Sequence, residues 1–95
     1  MKHCIIAKFN DSVSDKAAMT SQIEELFSSA PAMDGIHGHT VLRNCIDREN
    51  RYDLAIVIDM DKAALPAWDA SELHRAWKSR FGSYLTSKAI FDFES

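Results

Sequence analysis

A chain of 95 residues has room for one small domain, predicted here to span residues 1–95. With 46% apolar and 26% charged residues, three Gly and two Pro, the composition is that of a globular protein and excludes a low-complexity chain. The formal net charge of −3 and the lack of a basic face argue against binding to a nucleic-acid backbone. The longest apolar run, residues 54–58, is too short to cross a membrane.

The first half of the chain predicts a strand, a helix and two further strands. Residues 2–10 alternate as in a strand. Ser14 is the expected N-cap of a helix that ends at Ala30, because Pro31 disfavours helical geometry in the residue before it. Residues 36–45 form a second strand, and the polar segment 47–51 connects it to a third strand over residues 52–60. The apolar stripe of the helix is Met19, Ile23, Leu26, Phe27 and Ala30.

The second half predicts a short helix over residues 63–68, a longer helix over 72–85 and a fourth strand over 86–93. Leu73, Trp77 and Phe81 recur at helical spacing, and Tyr84 or Leu85 continues the stripe. The order β-α-β-β-α-α-β predicts an α+β fold in which an antiparallel four-stranded sheet carries its helices on one face.

The strands are apolar on both faces, although helices can cover only one of them. Val57 and Ala55 alternate with Leu54, Ile56 and Ile58 in the third strand. An exposed apolar sheet face is an aggregation hazard, so a second copy of the chain is the simplest cover for it. The sequence therefore predicts a homodimer through the sheet faces.

The N-terminal residues and the cysteines indicate the compartment. The apolar stretch near the N-terminus is too short for a signal-peptide core and is interrupted by Lys8, so we expect a cytoplasmic protein. Cys4 and Cys45 do not make a disulfide framework and are expected to be free thiols.

Three segments in order carry a resemblance to a known family. KHCIIAKF at residues 2–9, RN at 43–44 followed by YDLAIVI at 52–58, and WDASELHRAW at 68–77 together resemble the stress-responsive α/β-barrel (Dabb) proteins. The resemblance implies a ferredoxin-like fold whose sheets pack face to face in a dimeric α+β barrel. The family includes heat-stable plant proteins of unclear activity and a plant polyketide cyclase that acts without a cofactor.

The same resemblance implies a pocket between the sheet and the helices. Two histidines line that pocket in the cyclase, and they match His3 and His74 here. Trp68 and Glu25 stand where the cyclase has pocket tyrosines, so this chain lacks both phenolic oxygens.

The residues themselves allow either a catalytic or a structural interpretation of these two histidines, and the resemblance makes them the catalytic candidates. His74 lies at the edge of an apolar stripe, where it either reaches a cavity between helix and sheet or is a structural histidine bonded to a carbonyl at the helix start. His3 shares its strand face with Ile5 and Phe9, so it converges with His74 if that face meets the helices; otherwise it is a strand-end histidine that orders the chain terminus. Neutral imidazole can accept a proton from one atom and return it to another. The predicted pocket residues are Trp68, Trp77, Phe81, Phe9 and Glu25.

Other reactive side chains have simpler interpretations. His37 and His39 lie two apart on a strand, but the sequence places no third ligand beside them, so no metal site is predicted. Cys4 alternates with His3 and should point away from it, which leaves the thiol without a base.

Three functional hypotheses remain open. The first is cofactor-free acid/base chemistry on a small polyketide-like or aromatic molecule, with His74 as general acid/base and His3 as its partner. The second is a non-catalytic, stress-related binding or structural protein. The third is a cofactor-independent monooxygenase of the related dimeric ferredoxin-like group. All three predict a homodimer and none requires a cofactor, a nucleic acid or a membrane.

Overall fold

The fold is known from a computed structural model, which describes residues 1–94. It contains four strands: β1 (Lys2–Phe9), β2 (Ile36–Arg43), β3 (Leu54–Met60) and β4 (Leu85–Phe93). Three helices accompany them: α1 (Lys16–Phe27), α2 (Leu65–Asp69) and α3 (Glu72–Phe81). The predicted element order is confirmed, with short 3-10 turns at Ala30–Ala32, Lys62–Ala64 and Gly82–Tyr84.

All pairings in the four-stranded sheet are antiparallel, and the strand order is β2-β3-β1-β4. β1 therefore lies inside the sheet although it is first in the chain. In the register His3 pairs with Ile58 of β3 and with Asp92 of β4. Residues that pair directly in an antiparallel sheet share a face, so this register decides which side chains meet the helices.

One face of the sheet packs against the helices and forms the core. His3, Ile5, Ala7 and Phe9 are all buried there, and the odd-even alternation of β1 is complete. The largest fully buried side chains are Trp68, Trp77, Phe27, Ile5, Ile23, Ile56, Ile58 and Met60. Burying an aromatic or aliphatic side chain of this size contributes roughly 1.5–3 kcal/mol, so the helices are held mainly by this face.

The opposite face of the sheet is apolar, and none of the helices in the described residues covers it. Cys4 pairs with Val57 and Phe91, which places all three side chains on this open face. Phe91 is 62% exposed and its ring packs beside that of Phe93, 6.1 Å away. At the rim, Lys2 and Asp59 form a 3.0 Å ion pair, and the hydrogen bond from Lys2 lowers the pKa of Asp59. The prediction of two apolar faces is confirmed.

Helix α1 is shorter than predicted at both ends. Its N-cap is Asp15, not Ser14, and the Asp15 carboxylate accepts a hydrogen bond of 3.0 Å from the N–H of Ala18. A negative charge at this position also suits the helix dipole. The helix ends at Phe27 instead of Ala30, because the hydroxyl and the N–H of Ser28 both donate to the carbonyl of Glu25 and interrupt the helical pattern.

Helix α3 and the β2–β3 connection also differ from the prediction. α3 ends at Phe81 because Gly82–Tyr84 turns the chain directly into β4, and this leaves Tyr84 exposed instead of on the apolar stripe. β2 ends at Arg43, since the side chain of Asn44 exchanges hydrogen bonds with the backbone of Ile46 and starts the loop there.

Gly35 joins α1 and its following turn to β2 in a conformation that other residues avoid. Its φ is +81°, and a Cβ at this position would lie 2.8 Å from Cβ of Ala64. The carbonyl of Gly35 accepts a 2.7 Å hydrogen bond from the N–H of Asp61, which ties the start of β2 to the end of β3. Both the backbone conformation and the contact therefore require glycine.

We expect Gly35→Ala to lower the free energy of unfolding by about 1–3 kcal/mol, because it combines backbone strain with a close contact. Urea denaturation followed by circular dichroism measures this change. Gly82→Ala is the matched control: a Cβ on Gly82 meets nothing within 4 Å, and its φ of −56° suits alanine. Equal stability of the two variants would contradict the proposed strain at Gly35.

Candidate functional site

A cavity of about 320 Å³ lies between the β1–β4 side of the sheet and helices α2 and α3. Each layer contributes both apolar and ionisable side chains to its lining. The strands contribute His3, Ile5, Lys88, Ile90 and Asp92. The helices contribute Leu65, Asp69, His74, Trp77 and Lys78. The structure thus brings His3 and His74 to one cavity, although 70 residues of sequence separate them.

His3 is buried at the start of β1 and is held by Asp92 of β4. Nδ1 of His3 donates a hydrogen bond to Oδ1 of Asp92, the residue that pairs with it across the two strands. A carboxylate only accepts, so the proton of the neutral ring lies on Nδ1 and the lone pair lies on Nε2. The side chain of His3 is 6% exposed and that of Asp92 is 37% exposed, and both residues line the cavity.

His74 is held in the same tautomer by a different partner. Its backbone N–H donates to the hydroxyl of Ser71, the N-cap of α3, at 3.0 Å. Its ring Nδ1 lies 2.9 Å from the carbonyl oxygen of Asp69 at the end of α2. A carbonyl also only accepts, so Nδ1 of His74 carries the proton and Nε2 keeps its lone pair. Both imidazoles therefore present a basic nitrogen.

The buried indole of Trp68 lies beside both histidine rings. Its ring centroid is 6.5 Å from that of His3 and 5.4 Å from that of His74. The side chain is fully buried, and Nε1 has no hydrogen-bond partner among residues 1–94. Trp68 therefore supports the two imidazoles from behind the cavity without joining its lining.

The remaining predicted pocket residues are divided between the cavity and other places. Trp77 lines the cavity. Phe81 packs against Trp77 in the core, with 5.9 Å between the ring centroids, and is not part of the lining. Phe9 lies at the far end of β1 and lines a separate cavity of about 220 Å³ with Lys16. Glu25 is exposed on α1, because Ile23 and Phe27 take the positions that face the core.

Sequence reasoning missed the side chains that β4 and the end of α3 bring to the cavity. Asp92, Lys88 and Ile90 reach it because β4 pairs with β1, a contact between the two ends of the chain. The alternation of residues 88, 90 and 92 was visible in the sequence, but the identity of the neighbouring strand was not. Lys78 lies four residues after His74, and this helical spacing places both side chains on the same side of α3, a signal that could have identified Lys78 as a cavity residue.

The other reactive side chains considered above do not line this cavity. Cys4 lies on the open face, and burial together with the charge of Asp92 raises the pKa of its thiol. His37 falls in a register irregularity of β2 and bonds to Asp61 at 2.9 Å, so it does not simply share a face with His39. Within the described residues, no group of three or more potential metal ligands is assembled.

None of the helices in residues 1–94 has the length and apolar character needed to span a lipid bilayer.

Solved structures with the same fold cover nearly the whole chain. A dimeric ferredoxin-like protein of unknown function from Thermobifida fusca is 21% identical, with a TM-score of 0.82 over 99% of this chain and 89% of its own. A dimeric protein of unknown function from Bacteroides fragilis, also ferredoxin-like, is 19% identical, with a TM-score of 0.81 over 99% of this chain and 94% of its own. The hydroxynitrile lyase of Passiflora edulis is 10% identical, with a TM-score of 0.76 over 97% and 89%. The predicted ferredoxin-like fold is confirmed.

Comparison with curated proteins finds no match. The family model of the stress-responsive A/B barrel domain, by contrast, matches residues 1–95, and dimeric ferredoxin-like structures match the same span at the level of the fold. The chain therefore belongs to the Dabb family of stress-responsive A/B barrel domains.

Proposed function

We propose that this protein is an enzyme that moves a proton on a small molecule without a cofactor, and that it works as a homodimer. The reaction takes place in the cavity between β1, β4, α2 and α3. His74 acts as the general base and acid, and the His3–Asp92 pair supplies the second imidazole. Imidazole itself accepts and donates protons near neutral pH, so this chemistry needs no metal or organic group.

The observation that carries the proposal is the matched state of the two histidines. His3 and His74 line the same cavity, and each is held through Nδ1 by a group that only accepts hydrogen bonds. Each ring therefore offers Nε2 as a base with its orientation already fixed. Within residues 1–94, each ring makes its one hydrogen bond through Nδ1, which leaves Nε2 available to a ligand in the cavity.

The surroundings suit the removal of a proton from a carbon or hydroxyl group. The base takes the proton, the electron pair moves to a neighbouring oxygen or leaving group, and the imidazolium returns the proton to the product. Asp92 stabilises the imidazolium of His3 by its negative charge. Ile5, Leu65 and Trp77 supply apolar walls that exclude water and fit an aromatic or aliphatic substrate body.

The hydroxynitrile lyase of Passiflora edulis supports a catalytic use of this fold. Loss of cyanide from a hydroxynitrile follows removal of the hydroxyl proton, which is the kind of transfer proposed here. At 10% identity the likeness concerns the fold alone. It makes aromatic hydroxynitriles reasonable members of a substrate panel, together with ketones and thioesters that carry an acidic C–H bond.

The open face of the sheet supports the homodimer. Its apolar side chains include Phe91 and Leu42, which are 62% and 51% exposed. The ferredoxin-like neighbours from Thermobifida fusca and Bacteroides fragilis are dimeric. A second copy laid face to face on this sheet would bury these side chains and leave the cavity, which opens on the other face, accessible.

We expect His74→Gln to lower kcat by about 10²–10⁴-fold, because glutamine fills a similar volume but cannot take up the proton. Deuterium incorporation from D₂O into carbon acids, and cyanide release from hydroxynitriles, measure the rate. His37→Gln is the matched control: His37 lies on β2 at the opposite edge of the sheet, paired with Asp61, and its loss should leave the rate unchanged.

The Asp92→Asn variant tests whether His3 acts as a base or only packs in the core. An asparagine amide can donate to Nδ1 of His3, which moves the ring proton to Nε2 and removes the basic nitrogen from the cavity. We expect this variant to fold normally and to lose activity as His3→Gln does. Full turnover in His74→Gln and His3→Gln, or no histidine-dependent turnover of any panel member, would contradict the catalytic proposal.

We expect Val57→Asp to convert the dimer to monomer or aggregate, because it puts an unpaired charge at the centre of the sheet–sheet interface. Light scattering with size-exclusion chromatography measures the mass. Phe91→Asp is the second variant, because a side chain that is 62% exposed contributes little to the stability of a single subunit. Ala67→Asp on the exposed side of α2 is the control, and a dimer that survives both face variants would refute this interface.

A further inference from the structure

The cavity has two lysines at one end whose charge the proposed proton transfer does not use. We propose that Lys78 and Lys88 bind an anionic group, such as a carboxylate, of a substrate whose apolar body extends from them towards the two histidines. This inference rests on the proposed function and names its substrate class: a small apolar molecule with an acidic C–H or O–H bond at one end and an anion at the other.

The register of β1 and β4 sets the order of groups along the cavity. On the helix-facing side of β4, Asp92, Ile90 and Lys88 follow one another at every second residue. They pair with His3, Ile5 and Ala7 of β1 in the same order. With a rise of about 3.3 Å per residue, Lys88 lies roughly 13 Å along the strand from Asp92. The strands alone thus separate an acid/base end from a cationic end.

Helix α3 repeats this order on the opposite wall. His74 lies near its start, and Lys78 follows one turn later, about 6 Å along the axis. The turn Gly82–Tyr84 joins the end of α3 directly to the start of β4, so helix and strand run in opposite directions. Lys78 is therefore on the same side of His74 as Lys88 is of Asp92.

The charges of the two ends are of opposite sign. The carboxylates of Asp92 and Asp69 line the cavity at the histidine end, and Asp92 is engaged by His3. Among the described residues, no carboxylate oxygen lies within ion-pair distance of Lys78 or Lys88. An anionic group is repelled by the aspartates and attracted by the lysines, which fixes the direction in which the substrate enters.

The middle of the cavity is apolar and incompletely covered. Ile5 and Trp77 are buried there, whereas Ile90 on the edge strand is 51% exposed. A planar or aliphatic body of a ligand would cover Ile90 while it spans the interval between the two ends. An exposed isoleucine beside a cavity with separated charges is the arrangement expected of a site for an amphiphilic molecule.

Two probes that differ only in charge test the proposal. 3-Phenylpropanoate and its neutral amide, 3-phenylpropanamide, share one apolar body. We expect the carboxylate to bind about tenfold more tightly by calorimetry, as one charge-assisted contact provides. Lys88→Met keeps most of the apolar stem but removes the charge, and together with Lys78→Met it should abolish the preference while amide binding stays unchanged. Lys62→Met, at an exposed lysine outside the cavity lining, is the control and should keep the preference.

The outcomes distinguish this inference from the function on which it rests. Equal affinity of the two probes, a preference that survives the double lysine variant, or no binding of either probe at about 10 mM would overturn the anion site. If both probes shift the NMR signals of His3 and His74 with equal affinity, the anion site fails and the histidine cavity stands. If the carboxylate binds through the lysines while His74→Gln retains full turnover, the catalytic proposal fails and the anion site stands.

Discussion

The burial of one indole, that of Trp68, is the contact on which the arrangement of the other elements depends. Its ring meets His3 of β1, Phe27 of α1 and His74 of α3, with centroids 6.5, 5.8 and 5.4 Å away. A side chain of this size cannot be enclosed by one layer, so the sheet and two helices must converge around it. The consequence is chemical as well as structural: the packing that buries Trp68 holds two imidazoles at fixed places beside one cavity.

A sheet with two apolar faces gives this small domain two separate uses for its strands. The helix-facing side builds the core and the cavity, and the open side carries exposed apolar side chains that the proposed homodimer would cover. A domain of this length buries only roughly 60–65% of its unfolded surface, so the proposed contact between two copies would add stability that the single core does not supply. On the proposed function, substitutions on the open face would act on assembly, whereas those on the helix face would act on the candidate site.

The sequence was sufficient to predict the features that depend on local periodicity. The four strands, the helices, the two-sided apolar character and the shared cavity of His3 and His74 all follow from spacing of two or 3.6 residues together with the family resemblance. The sequence could not predict which strands pair when they lie far apart in the chain. Asp92 and Lys88 reach the cavity only because β4 lies beside β1. Phe9 misses it because the cavity occupies one end of the sheet, and Glu25 misses it because it is exposed on α1. The exact end of a helix depends on local hydrogen bonds, such as those from Ser28 to the carbonyl of Glu25. Helix propensities alone do not predict these bonds.

Strand β4 is where these constraints meet, because its two alternating sets of side chains serve the two faces. Residues 88, 90 and 92 reach the cavity, whereas Phe91 and Phe93 lie on the open face. A slip of one residue relative to β1 would exchange the two sets. Phe91 would then stand beside His3 in place of Asp92, and Lys88 and Asp92 would move to the open face. The candidate site and the proposed interface would be lost together, so one register of this edge strand serves both the packing of the open face and the lining of the cavity.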